Sequence, residues 1–276
     1  MKKNKLLLLS ILLLTFLFSG CNYIDNMKVK LKMKNQDFEY IKQGKVEKIV
    51  IQSTRDNGFR FVVTDKSTIR DLYGLLSTGK EATENSNLSP DYIFEFQESA
   101  DKIHKFNYVA GLNKKGVGNF YDGEKSYSVN KRLDNDIIRN MYSLRRPKDF
   151  SDIYYASILK FLSSYGKNIN SDGSKSLGIN IKDDIECAKY VLSVELEDFK
   201  YNLNSTIKNA KLVDNNKEDF DILVSMKTQG YKTTVYKSII TLYNKSEGTE
   251  LKYYVLGNYE NREWTILISE SRPEKW

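Results

Sequence analysis

Pro147 sets the strongest limit on how this chain folds. The chain holds only 3 prolines, and this one sits in Arg145-Arg146-Pro147-Lys148-Asp149. Proline drives the residue before it out of the helical region. A helix predicted over 133–144 therefore has to end here. On either side lies a separate run of strands and helices, each long enough for a small domain. The break is read as a boundary between a domain over 45–146 and another over 149–276.

In the first piece, 46–52 and 58–64 read as strands, joined by an Asn-Gly type turn at Arg55-Asp56-Asn57-Gly58. Asp65 then caps a helix that places Ile69, Leu72, Tyr73 and Leu76 on one face. Residues 78–89 are polar and loop-like. Tyr92, Phe94 and Phe96 alternate with Ile93 and Glu95 in a further strand, and 102–109, 117–121 and 125–129 add three more. The order β-β-α-β-β-β-β-α predicts a mainly antiparallel sheet with helices on one face. Thr64-Asp65-Lys66, Ser89-Pro90-Asp91-Tyr92, Gly118, Tyr121-Asp122-Gly123 and Tyr127 together resemble the YhfM-like domain of small Gram-positive lipoproteins, over about 45–142. That resemblance implies a fold and a location, and no activity.

The second piece opens with a helix over 150–165, with Ile153, Tyr154, Ile158 and Phe161 on one side, and a short strand at 177–181. Asp183 and Asp184 then begin a long predicted helix, where carboxylates complement the helix dipole. It carries two apolar stripes, one through Ile185, Leu196 and Leu203 and one through Cys187, Tyr190 and Tyr201, so it is expected to be sandwiched between sheet and first helix. Strands around 220–226, 233–243, 251–259 and 264–268 close the chain as an antiparallel meander. This order, ending in Asn261-Arg262-Glu263-Trp264-Thr265-Ile266, resembles an NTF2-like domain over 149–276. A cystatin-like roll is the competing reading. The fold class is α+β, in two small domains, each a mainly antiparallel sheet packed with helices.

The N-terminus fixes where such a chain works. Lys2, Lys3 and Lys5 precede an apolar run at 6–18. At about 13 residues the run suits a signal peptide and is too short for a stable membrane-spanning helix. Leu17-Phe18-Ser19-Gly20-Cys21 follows and resembles a bacterial lipobox, with Phe18 standing where the family usually has leucine. The resemblance implies cleavage after residue 20 and a lipid on Cys21. It puts the protein on the extracytoplasmic face of a cell membrane, on a tether over 21–44. An uncleaved N-terminal anchor is the alternative. Lys28, Lys30, Lys32 and Lys34 alternate with apolar residues. They suit either a solvated tether or first strand, or a patch resting on anionic head groups. Abundant Lys, Asn, Ile and Tyr match an AT-rich, Gram-positive source.

Little in the chain points to chemistry. Of the formal net charge of +7, Lys2, Lys3 and Lys5 leave with the leader, so a nucleic-acid partner is not expected. With 2 cysteines and one lipidated, Cys187 reads as a small buried residue. His104 is the lone histidine and lies on a strand face. No catalytic, metal-binding or cofactor-binding residue is assigned, and Asp214-Asn215-Asn216 with Glu218 and Asp219 reads as a turn rather than a calcium loop. Tyrosine is abundant, at 19 residues, and Tyr236, Tyr243, Tyr253, Tyr254 and Tyr259 crowd the final strands as an expected interaction surface. The expected function is a non-enzymatic, membrane-anchored adaptor for a protein or cell-envelope partner. The alternatives are a small-molecule or peptide binder with a pocket in the C-terminal domain, and an envelope enzyme using scattered carboxylates.

Overall fold

The computed structural model describes residues 29–31, 33–138, 146–170, 174–274 and 276. Cys21, the leader and Lys28 lie outside the described residues, as does the end of the helix expected over 133–144. What is seen of that helix is a π-helical turn, Leu133–Ile138.

Two sheets form, one on each side of Pro147. The first contains β1 (Lys48–Ser53), β2 (Arg60–Val63), β3 (Lys80–Glu81), β5 (Tyr92–Gln97), β6 (Ile103–Tyr108), β8 (Phe120–Tyr121) and β9 (Ser126–Ser128), in the order β2-β1-β5-β6-β8-β9-β3. Every pairing in it is antiparallel. Two-residue strands β4 (Glu84–Asn85) and β7 (Val117–Gly118) pair in parallel beside it. The short β3 and β4 fall in the stretch expected to be all loop.

Helix α2 (Lys66–Ser77) covers one face of this sheet, after a one-turn α1 (Glu39–Lys42). Asp65 accepts the N–H of Thr68 at 2.8 Å, as a capping residue should. That N–H, with the hydroxyls of Thr68 and Ser67, holds the Asp65 carboxyl down at about 2. Ile69, Leu72, Tyr73 and Leu76 are all buried, on the predicted face. Against them lies an aromatic cluster in which Phe106 and Phe120 stack at 4.7 Å and Phe38 packs against Phe106, Phe120 and Tyr127. Phe38 is 0% exposed, and the Asn35 side chain donates to Leu76 O at 3.0 Å and Gly79 O at 2.9 Å. The folded unit thus begins by about residue 35, within the segment expected to be tether.

The second sheet orders β11 (Ala210–Leu212), β10 (Leu177–Asn180), β12 (Ile222–Tyr231), β13 (Val235–Asn244), β14 (Thr249–Glu260) and β15 (Glu263–Ser269). β12 to β15 form the expected meander, while β10 runs parallel to both β11 and β12. Helix α3 (Phe150–Ile169) packs on this sheet through Ile153, Tyr154, Ile158 and Phe161. It comes so close at Gly257 that a Cβ there would lie 2.5 Å from Ile153 Cδ1.

The long helix expected from residue 183 is instead two. A one-turn α4 (Ile185–Ala188) is followed by an extended Leu192 and then α5 (Ser193–Thr206). Asp184 stands at the start of α4, as expected, but its side chain does not cap the helix; it is 1% exposed. Its carboxylate accepts the Thr228 N–H at 3.0 Å, the Thr228 hydroxyl at 2.6 Å and the Tyr154 hydroxyl at 3.1 Å. These bonds tie the start of α4 to β12 and α3, and the interruption follows at 189–192. Each stripe is broken with the helix: Cys187, Tyr190 and Val191 of the second are buried while Tyr201 is 77% exposed, and Phe199 and Leu203 of the first are buried while Ile185 is 76% exposed.

Candidate functional site

The two sheets meet at Asp91, the residue that leads into β5. It is 2% exposed and reaches across the chain break. Its Oδ1 accepts the Ser193 N–H at 2.8 Å, and its Oδ2 accepts the Ala110 N–H at 2.9 Å. Arg55, from the β1–β2 turn, donates to Asp91 Oδ1 at 2.5 Å and to the Ser193 hydroxyl at 2.5 Å. Ser193 Oγ in turn donates to Ser89 O at 2.7 Å. Leu192 has no side chain able to cap α5, so a carboxylate from the other unit satisfies the helix N-terminus. Burial raises the Asp91 carboxyl from its ordinary value, against Arg55 and the two N–H groups, which favour the ion.

Beside this junction lies an open cleft of about 690 Å³. Ile181, Val191, Leu196 and Leu212 give it apolar walls, and Arg55, Lys182 and Lys200 bring positive charge to it beside one carboxylate, Asp214. Lys182 is held by Asp214 and Asn215, each at 2.8 Å. Thr54, Arg55, Ser89 and Pro90 come from the first unit and the remaining lining residues from the second. Apolar walls with a few charged groups are the make-up of a ligand site.

Residues 42–147 match the sequence family described as YhfM protein. The N-terminal unit is a YhfM-like domain. The match covers the first sheet and stops at Pro147, so the second sheet lies outside it. No curated protein and no solved structure matches the chain. The YhfM-like domain thus supplies Arg55 and Asp91, and the second unit supplies the helix they hold.

The residues singled out in the sequence scatter. Tyr236 is 0% exposed, its hydroxyl 2.8 Å from Thr228 Oγ1. Tyr253 is 6% exposed and packs on Phe161 and Tyr165 of α3. Strand alternation turns both into the core, so neither belongs to an interaction surface. Tyr254 points to the opposite face, edge-on to Trp276. Tyr259 lies against Trp264 and donates to Asp149. Tyr243 is exposed. The five form no common patch.

His104 pairs with Glu98 at 2.9 Å and stacks on Tyr40 at 4.2 Å. Cys187 is buried in the other unit, its thiol pushed up to about 12 by burial and then by the Asp184 charge. The acidic stretch after β11 is a turn, with Asn216 donating to Asp219 at 3.0 Å. No group of three or more metal-ligating side chains converges among the described residues, and no helix among them is long and apolar enough to cross a membrane. Arg55 and Asp91 stood in the sequence only as turn and strand-entry residues. Nothing local announces a bond from Asp91 to a residue 102 positions away.

Proposed function

We propose that this protein is a lipid-anchored, extracytoplasmic binding protein that holds a small molecule or peptide in the cleft at the domain junction. The observation that carries this reading is the cleft itself, about 690 Å³ with apolar walls and cations beside them. The ligand class it fits is an apolar body bearing an anionic group. The reading is non-enzymatic: the lone histidine is engaged by Glu98 and the thiol of Cys187 is buried and held protonated. The helix-then-meander order of the second unit supports an NTF2-like description of it. The lipid on Cys21 and the membrane location rest on the leader and lipobox.

An anionic apolar dye, anilinonaphthalene sulfonate, tests the cleft. The protein is expected to bind it saturably, and Ala188→Trp, which fills the cleft wall, is expected to abolish binding with little change in melting temperature. Non-saturable binding, or binding indifferent to Ala188→Trp, would sink the reading. A protein-adaptor role then becomes the better description. It would use the outer face of β13 around Tyr243, which is 40% exposed.

A further inference from the structure

A second groove, of about 300 Å³, lies along the other side of α5, where it faces α3. Its lining comes from residues one helical turn apart on each helix: Asp152, Tyr155 and Leu159 on α3, and Glu195, Asp198 and Phe199 on α5. Its character is opposite to that of the junction cleft. Three carboxylates line it, and neither Asp152 nor Asp198 forms an ion pair among the described residues. Glu195 forms a long ion pair with Arg146, at 4.0 Å from Oε1.

Two buried polar atoms in the lining are unsatisfied. Tyr155 is 5% exposed, and its hydroxyl has no hydrogen-bond partner among the described residues. The same holds for Glu195 Oε2. A buried polar atom without a partner costs roughly 1–3 kcal/mol, so such atoms call for a reason, and a ligand that donates to them is one. The floor is aromatic and aliphatic: Tyr155 stacks on Phe199 at 4.7 Å, and Leu159 lies beside them. Carboxylates above an aromatic and aliphatic floor suit an ammonium on an alkyl stem, because the stem packs while the head donates to carboxylates and hydroxyl. A bare divalent ion would gain nothing from that floor. Burial, opposed by Arg146 and aided by Asp91, Asp152 and Asp198, raises the Glu195 carboxyl to about 7, in keeping with an excess of negative charge.

We propose that the groove between α3 and α5 is a binding site for an aliphatic ammonium group, recognised by Asp152, Asp198, Glu195 and the Tyr155 hydroxyl. The group comes either from a free amine or from a lysine side chain of another protein. The groove shares no lining residue with the junction cleft, which lies across α5.

Calorimetric titration of the full-length chain in detergent tests it, with putrescine, a blocked Gly-Lys-Gly peptide and calcium chloride as probes. At least one amine is expected to bind with a Kd of about 1 mM or tighter. The double variant Asp152→Asn/Asp198→Asn, changed only at exposed positions, is expected to weaken it about tenfold or more, with the melting temperature unmoved. Tyr155→Phe is expected to weaken it several-fold while leaving dye binding in the junction cleft intact. Tighter binding of putrescine would assign a free amine, and tighter binding of the peptide a lysine side chain. Absence of amine binding, equal binding by the double variant, or preference for calcium would each overturn the proposal.

Discussion

Asp91 shows how much one side chain can carry. It pairs with a partly buried guanidinium, caps a helix and joins two units. Replacing it with alanine leaves the buried N–H groups of Ser193 and Ala110 unsatisfied and Arg55 without its counter-charge, a change that costs about 2–5 kcal/mol. Urea unfolding of Asp91→Ala is expected to show a loss of that size, and Asp91→Asn a smaller one. An unchanged midpoint would mean the bonds contribute nothing net. Glu195 makes a pH-dependent prediction. Its carboxyl sits at about 7 in the native state against an ordinary 4.5. Between those values the folded protein keeps a proton that the unfolded chain releases. Stability therefore falls as pH rises from about 4.5 to about 7 and is level above. Glu195→Gln removes that fall, on the order of 1–3 kcal/mol. Urea midpoints at pH 5 and pH 8 check it, and parallel wild-type and variant profiles would refute it.

At the level of elements, the sequence was readable wherever one local rule decided the outcome. Asp65 and the stripe Ile69, Leu72, Tyr73 and Leu76 predict α2, and both the cap and the buried face are as expected. The alternation in Tyr92, Phe94 and Phe96 predicts β5, and all three are buried. The helix expected from residue 183 failed because its interruption is set from outside. Thr228 lies 44 positions from Asp184, and Asp91 lies 102 from Ser193. The tyrosines failed for a different reason: residue type gives a face only once register is known, and β14 turns Tyr253 inward and Tyr254 outward. The candidate site was legible only as turn chemistry around Arg55 and Asp91. Packing of α3 onto the sheet gives a third prediction. Gly257→Val places atoms where Ile153 already lies and is expected to cost about 1–3 kcal/mol, measured as a drop in the thermal midpoint. A neutral substitution would show that α3 can slide.

For the whole molecule, the burial of Phe38 settles where folding begins. Phe38→Ala is expected to cost about 3–5 kcal/mol, and a chain starting at residue 45 should lose the cooperative unfolding of the YhfM-like domain. Retention of a sharp transition in that truncated chain would contradict the packing seen here. Buried residues of both units form one continuous cluster, so wild-type unfolding is expected as a single transition, with Asp91→Ala separating it into two.

That early start also limits height. With Lys34 over the Tyr73 ring and Asn35 bonded to Leu76 and Gly79, a lipid on Cys21 would leave a leash of about 13 residues, which spans at most about 45 Å. On the proposed anchoring, the protein would patrol a thin layer above the bilayer, without the means of casting its cleft far from it. Whatever it meets would then have to be moored in the same membrane or small enough to diffuse down to it.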